Sequence, residues 1–111
     1  MSWHTSPSTS PFAHLSKERA LACAKEFMAD PIGHHSLDLQ RILHRFRGSP
    51  LEGRWVLVQT KPFEEWRLGR MNGRAKPIEI FEDKVFTSHL DGEREIFRLM
   101  WKQVAGESLS F

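Results

Sequence analysis

The chain contains no tyrosine and only one cysteine. The first absence removes any phenolic acid, base or metal ligand. The second means that Cys23 can neither close an internal disulfide nor join a second thiolate around a metal. In the context LACAKEF it reads as a small helix residue rather than a nucleophile. No apolar run approaches the roughly 18 to 20 residues that a bilayer crossing requires, so no membrane span is expected. The first residues, MSWHTSPSTSPFAHLS, lack the basic start and apolar stretch of a secretory signal, and neither end carries a lipidation motif. A cytoplasmic protein is the expectation. There is also no Gly-rich phosphate loop, no nucleophile elbow and no His/Cys cluster.

With those classes removed, 111 residues at 40% hydrophobic and 27% charged content suit one domain with a single modest core. Net charge is only +2, but it is unevenly spread. From Arg41 to Lys76, nine Lys and Arg face three Glu, giving +6, while seven face eleven acids in the remainder, giving −4. The middle of the chain is a basic patch.

Residues 1–14 are rich in Ser, Thr and Pro and read as a flexible arm, ordered only by a partner. Trp3 and Phe12 are its large apolar residues and are candidate partner anchors. Ser16 caps a first helix with Glu18 near its positive end, and Leu21, Ala24, Phe27 and Met28 form its core face. That helix stops before Pro31, with Gly33 close behind. Ser36 caps a second helix, in which Leu39, Ile42, Leu43 and Phe46 fall at i, i+3, i+4 and i+7. Its opposite face carries Gln40, Arg41, His44, Arg45 and Arg47.

Gly48, Ser49 and Pro50 end the second helix, and Gly53 turns the chain into a strand over 54–60 that is expected to be covered on both sides. A second strand over 65–71 alternates Trp66 and Leu68 with Arg67 and Gly69. Asn72-Gly73 is a turn. A short third strand over 78–81 precedes a Glu82-Asp83 turn and the apolar pair Val85-Phe86. Ser88, with Asp91 three residues on, opens a last helix whose stripe is Ile96, Phe97, Met100, Trp101 and Val104, and Gly106 closes it. The expectation is an α+β domain over 15–105, three helices on a small, mostly antiparallel sheet of two or three strands, with a loose tail over 106–111.

The polar residues that invite chemistry have plainer readings. His34 and His35 diverge in extended chain and have no nearby carboxylate or thiol to complete a metal site. His44 lies among arginines on a polar helix face, and His89 sits at a helix cap. Glu64-Glu65 and Glu82-Asp83 read as solvated turn residues, since glycoside chemistry needs acids facing each other across a cleft. Arginines near Trp55 and Trp66 suit phosphate contact and base stacking, so a small basic nucleic-acid-binding protein is one hypothesis. The tryptophans, however, lie on apolar strand faces, and an arginine-rich helix face is equally suited to carboxylates on a protein partner. A free-standing adaptor domain is a third hypothesis.

The run DPIG at 30–33, LQRILHRF at 39–46, Pro50, Gly53-Arg54, the aromatic-aliphatic strand and EEWRL at 64–68 resembles the small subunit of N,N-dimethylformamidase and its relatives. The likeness covers about residues 30–104 and is closest from Phe46 to Leu68. It implies a large catalytic subunit that holds a mononuclear iron through two tyrosines and a glutamate and activates water to hydrolyse a formamide to formate and an amine. The small subunit would stabilise that partner in a dimer of heterodimers or a larger assembly. The resemblance carries no catalytic, cofactor-binding or metal residue onto this chain. From composition, Arg41, His44, Arg45 and Arg47 are the candidate interface, with Trp3 and Phe12 beside them; nucleic acid and membrane are not expected partners.

Overall fold

A computed structural model describes residue 12 and residues 15–48, 53–73 and 75–111. Among the described residues, three helices and one three-stranded antiparallel sheet give an α+β fold. The order is α1 (Lys17–Ala29), α2 (Leu37–Arg47), β1 (Trp55–Lys61), β2 (Glu65–Arg70), β3 (Glu79–Phe86) and α3 (His89–Ala105). Of the described residues, those up to Gly48 together with Arg98–Phe111 form one compact unit, and those from 53 to 97 form the other.

The helix boundaries follow from local chemistry. Ser16 Oγ accepts the Arg19 N–H at 3.1 Å, Ser36 Oγ accepts that of Leu39 at 3.2 Å, and Ser88 Oγ accepts that of Asp91 at 3.4 Å. Each satisfies an amide that the first helical turn leaves without an internal partner. At the end of α1, Asp30 is extended, as a residue before proline must be. Gly106 takes a φ of 79°, the left-handed conformation that glycine adopts most readily after a helix.

In the first unit α1 and α2 pack together. The buried face of α1 is Ala20, Cys23, Ala24 and Phe27, with Leu21 and Met28 only half-buried. The expected stripe is thus shifted by one position at its start, because small side chains let the neighbouring helix come close. Leu39, Ile42 and Phe46 are buried on α2, as their spacing predicts. Phe12 joins this core. Its ring lies 4.6 Å from that of Trp101 and 5.9 Å from that of Phe46, edge-on to the latter.

The second unit holds the sheet in the order β1-β2-β3. Register places Trp55, Leu57, Leu68 and Trp66 on one face and Val56, Val58, Arg67 and Gly69 on the other. The first face lies under the start of α3, where the His89 and Trp66 rings meet in a T-shaped contact at 5.7 Å and Gly92 approaches Leu57. Val85 and Ile80, on the opposite face, are exposed. β1 is therefore an edge strand with half-buried apolar residues, not one covered on both sides.

The third strand is longer than the sequence suggests. Glu82 and Asp83 lie inside β3 rather than in a turn. Arg67 pairs with Val85 and Gly69 with Ile80, so β3 has more residues than β2 between these points and bulges there. An ion pair from Glu82 to Arg67 crosses to the neighbouring strand at this irregularity. Tertiary pairing has overridden the local turn propensity of two adjacent acids.

Gly92 shows why a glycine is tolerated inside a helix. A Cβ there would stand 2.7 Å from both methyl groups of Leu57 and 3.3 Å from its Cγ. Gly92→Val should therefore lower stability by about 1 to 3 kcal/mol through overpacking. A chemical-denaturation double-mutant cycle with Leu57→Ala should recover part of the loss. If the two effects simply add, the close approach is not the cause.

Candidate functional site: the outer face of the second helix

Burial of Leu39, Ile42 and Phe46 turns the opposite side of α2 outward, where Arg41, His44, Arg45 and Arg47 are all exposed. Such a face follows from helical periodicity: residues three and four apart share a side. Among the described residues, the side chains of Arg41 and Arg45 form no ion pair or hydrogen bond. The guanidiniums are charged at any physiological pH and present five donors each in a planar fork.

Lys61, Arg67 and Arg70 of the basic stretch are engaged. Arg67 bonds Glu65 at 3.2 Å and pairs with Glu82, Lys61 lies 3.9 Å from Glu65, and Arg70 donates to the Gly53 carbonyl at 3.1 Å. Arg70 also covers the face of Trp55 at 4.7 Å. Trp66 has His89 at its ring, and both tryptophans are half-buried. One face of Trp55, which base stacking would use, is thus taken by Arg70 within the unit. Part of the basic stretch is thus spent on internal pairs, while the α2 face turns its guanidiniums outward.

The remaining polar groups serve the fold. Glu65 is not a solvated turn residue: its carboxylate accepts the Thr60 hydroxyl at 2.6 Å, and that bond, outweighing some burial and aided by Arg67 and Lys61, holds it below the usual carboxylate range. Burial pushes the Cys23 thiol up, away from the thiolate form that a nucleophile needs. On the first helix, Arg19 donates to Asp38 at 2.8 Å, and this hydrogen bond raises its guanidinium above the ordinary value. His34 and His44 are exposed, His35 donates from Nε2 to the Asp30 carbonyl at 3.0 Å, and His89 lies 3.3 Å from Glu93. No group of three or more His, Cys, Asp and Glu among the described residues is placed to hold a metal ion. These side chains do not suit an iron site, and no chemical step is assigned to iron on this chain. No helix of the described residues is long and apolar enough to cross a membrane.

Of the other candidates, Phe12 is buried against its own chain, and Trp3 lies outside the described residues. Two exposed residues were not singled out by the sequence: Leu37, on the same side of α2 as Arg41, and Ile32, in the turn before it. The available signal was that Leu37 falls off the stripe formed by Leu39, Ile42 and Phe46.

The outward guanidiniums of α2 are chemically suited to pair with carboxylates. No curated protein matches the chain. The family model of the N,N-dimethylformamidase alpha subunit matches residues 12–108, and the chain belongs to that family.

Proposed function

We propose that this chain is the non-catalytic small subunit of an iron-dependent, N,N-dimethylformamidase-like amidohydrolase. Its family membership over residues 12–108 carries the reading. A large partner subunit would hold the mononuclear iron, whose chemistry would be the activation of water, and would hydrolyse a formamide or related amide to a carboxylate and an amine. This chain stabilises that partner in a cytoplasmic dimer of heterodimers or larger assembly. One observation supports a contact role: among the described residues, the outward side chains of Arg41 and Arg45 on α2 form no ion pair or hydrogen bond.

On this reading the α2 guanidiniums meet carboxylates of the large subunit, where charge-assisted bonds fix orientation more than they add raw affinity. Reversing both charges with Arg41→Glu and Arg45→Glu should abolish or strongly weaken assembly in gel filtration. Stability of the isolated chain should change by no more than about 0.5 kcal/mol, because exposed charges contribute little to folding. Assembly identical to wild type would remove the α2 face from the interface. The wider reading is tested by activity: the chain alone should not hydrolyse dimethylformamide, and the complex with a large subunit should. A folded monomer that retards DNA or RNA with a steep salt dependence would favour the nucleic-acid reading instead.

A further inference from the structure

Between α1 and α2 the chain makes a corner held by an unusual density of specific bonds. Asp30 Oδ1 accepts the Ile32 N–H at 3.3 Å, His35 donates back to the Asp30 carbonyl, and the Gln40 amide donates to the His35 carbonyl at 2.9 Å. Ser36 is bound through both its N–H and its hydroxyl to the Glu26 carboxylate at 2.6 and 2.7 Å. At Gly33 any Cβ would collide with the Asp30 carboxylate. The corner is thus ordered by side-chain chemistry, yet it buries neither of its large aliphatic residues. Ile32 is 71% exposed and Leu37 is 61% exposed.

Leu37, Arg41 and Arg45 are spaced four residues apart, so they run along one side of α2 over about 12 Å, with His44 flanking them. An aliphatic end continues directly into two unpaired guanidiniums. This combination discriminates between classes of partner. A nucleic acid satisfies the arginines through phosphates and stacks its bases on planar rings, but it gains nothing from Ile or Leu. A protein surface can meet both, with an apolar pocket at one end and carboxylates at the other. Arginine is enriched in interface hot spots, and a corner fixed before binding loses little freedom on docking.

We propose that Ile32 and Leu37 are the apolar anchor by which this chain seats on its partner subunit, in a pocket that the partner borders with carboxylates facing Arg41 and Arg45. The inference rests on the subunit reading and adds to it the surface and the chemistry of the partner. The corner is too small to be the whole interface, which for a stable complex covers roughly 800 Å² on each side. It is instead the point where truncation costs most.

The test uses the native complex, isolated through a tagged copy of this chain in the cells that produce it, with the large subunit identified by mass. Ile32→Ser and Leu37→Asp are made singly, and complex yield and dissociation are compared with wild type. Each should weaken the complex by at least about 10-fold, with far-UV circular dichroism and melting of the chain unchanged. Leu37→Asp is a secure fold control, since an acid in the first helical turn is favourable there. Raising salt from 0.1 to 1 M should weaken the Arg41/Arg45 contribution and leave the Ile32/Leu37 contribution in place. Undiminished assembly in both variants would overturn the anchor while leaving the subunit reading standing. Failure of any large subunit to co-purify with wild type would overturn the subunit reading itself. Should the chain alone form a dimer that Leu37→Asp dissolves, the occupant is a second copy and the proposal is wrong. Should Leu37→Asp instead weaken retention on nucleic acid, it is wrong in favour of that partner.

Discussion

Phe12→Ala should lower the stability of this chain by about 3 to 5 kcal/mol, the cost of emptying a fully buried aromatic site. Residue 12 falls in a Ser/Pro-rich stretch that by composition alone would contribute nothing. In the structure the ring is 1% exposed and wedged between Trp101 and Phe46, and Trp101 is itself 1% exposed. Removing the ring strips contact from one residue of α3 and one of α2 at once, so the surroundings have few ways to collapse into the space. Since domains of this kind have a total stability of about 5 to 15 kcal/mol, the change should be visible as a large fall in the urea midpoint. An unchanged midpoint would mean that residue 12 belongs to a dispensable arm. Phe12→Leu separates volume from aromaticity: it should recover part of the loss, because most of the effect is apolar burial rather than ring geometry.

A second effect, one that depends on pH, is expected at Glu26. Its carboxylate accepts the Ser36 N–H and the Ser36 hydroxyl, and the same hydroxyl oxygen caps α2 by accepting the Leu39 N–H. One side chain of α1 therefore holds the residue that starts α2. Glu26→Gln keeps the shape but replaces one accepting oxygen with an amide that donates, and should cost about 1 to 2 kcal/mol. Burial pushes the Glu26 carboxyl up, but the two bonds from Ser36, with His35 and Arg19 nearby, outweigh it and leave the net shift downward. A carboxylate whose folded pKa is depressed contributes stability that is complete above the unfolded value of about 4.3 and is lost as pH falls through the folded value. The stability difference between wild type and Glu26→Gln should accordingly be full at pH 7 and shrink as the pH is taken below 4. Measuring unfolding of both proteins across that range checks the sign, and a gap that stays constant down to pH 2.5 would contradict it.

Much of the architecture is readable without coordinates because its signals are local. Ser16, Ser36 and Ser88 each cap the helix that their side chains favour, and Gly53 and Gly106 occupy positive-φ positions at the turn and the helix end where they were expected. The i, i+3, i+7 spacing of Leu39, Ile42 and Phe46 decides which face of α2 is buried and so which face its arginines take. Local signals also mislead where a distant strand intervenes. Glu82 and Asp83 look like turn residues until Arg67, on the neighbouring strand, supplies a cation to the first of them. Phe63 is another such case, since nothing in Lys-Pro-Phe-Glu indicates that an aromatic residue will adopt a φ of 57° at the hairpin tip.

The site divides along the same line. Arg41, His44, Arg45 and Arg47 are marked as surface by periodicity alone. That Arg41 and Arg45 remain unpaired while Arg67 and Arg70 are engaged depends on which groups lie within a few ångströms across separate elements. The exposure of Leu37 is also legible, since it falls off the stripe of Leu39, Ile42 and Phe46, whereas that of Ile32, in the turn before α2, is decided by packing.

What the sequence by itself determined is the elements, their caps, the polarity of each helix face and, through the spacing from Phe46 to Leu68, the resemblance to a dimethylformamidase subunit. All of these rest on interactions within a few residues or on the pattern of residues along the chain. What only the tertiary structure decided is the burial of Phe12, the Glu26 clamp on Ser36, the bulge in β3 and the internal pairing of Arg67 and Arg70. Each depends on a contact between segments far apart in sequence, whose meeting is set by packing and register rather than by propensity.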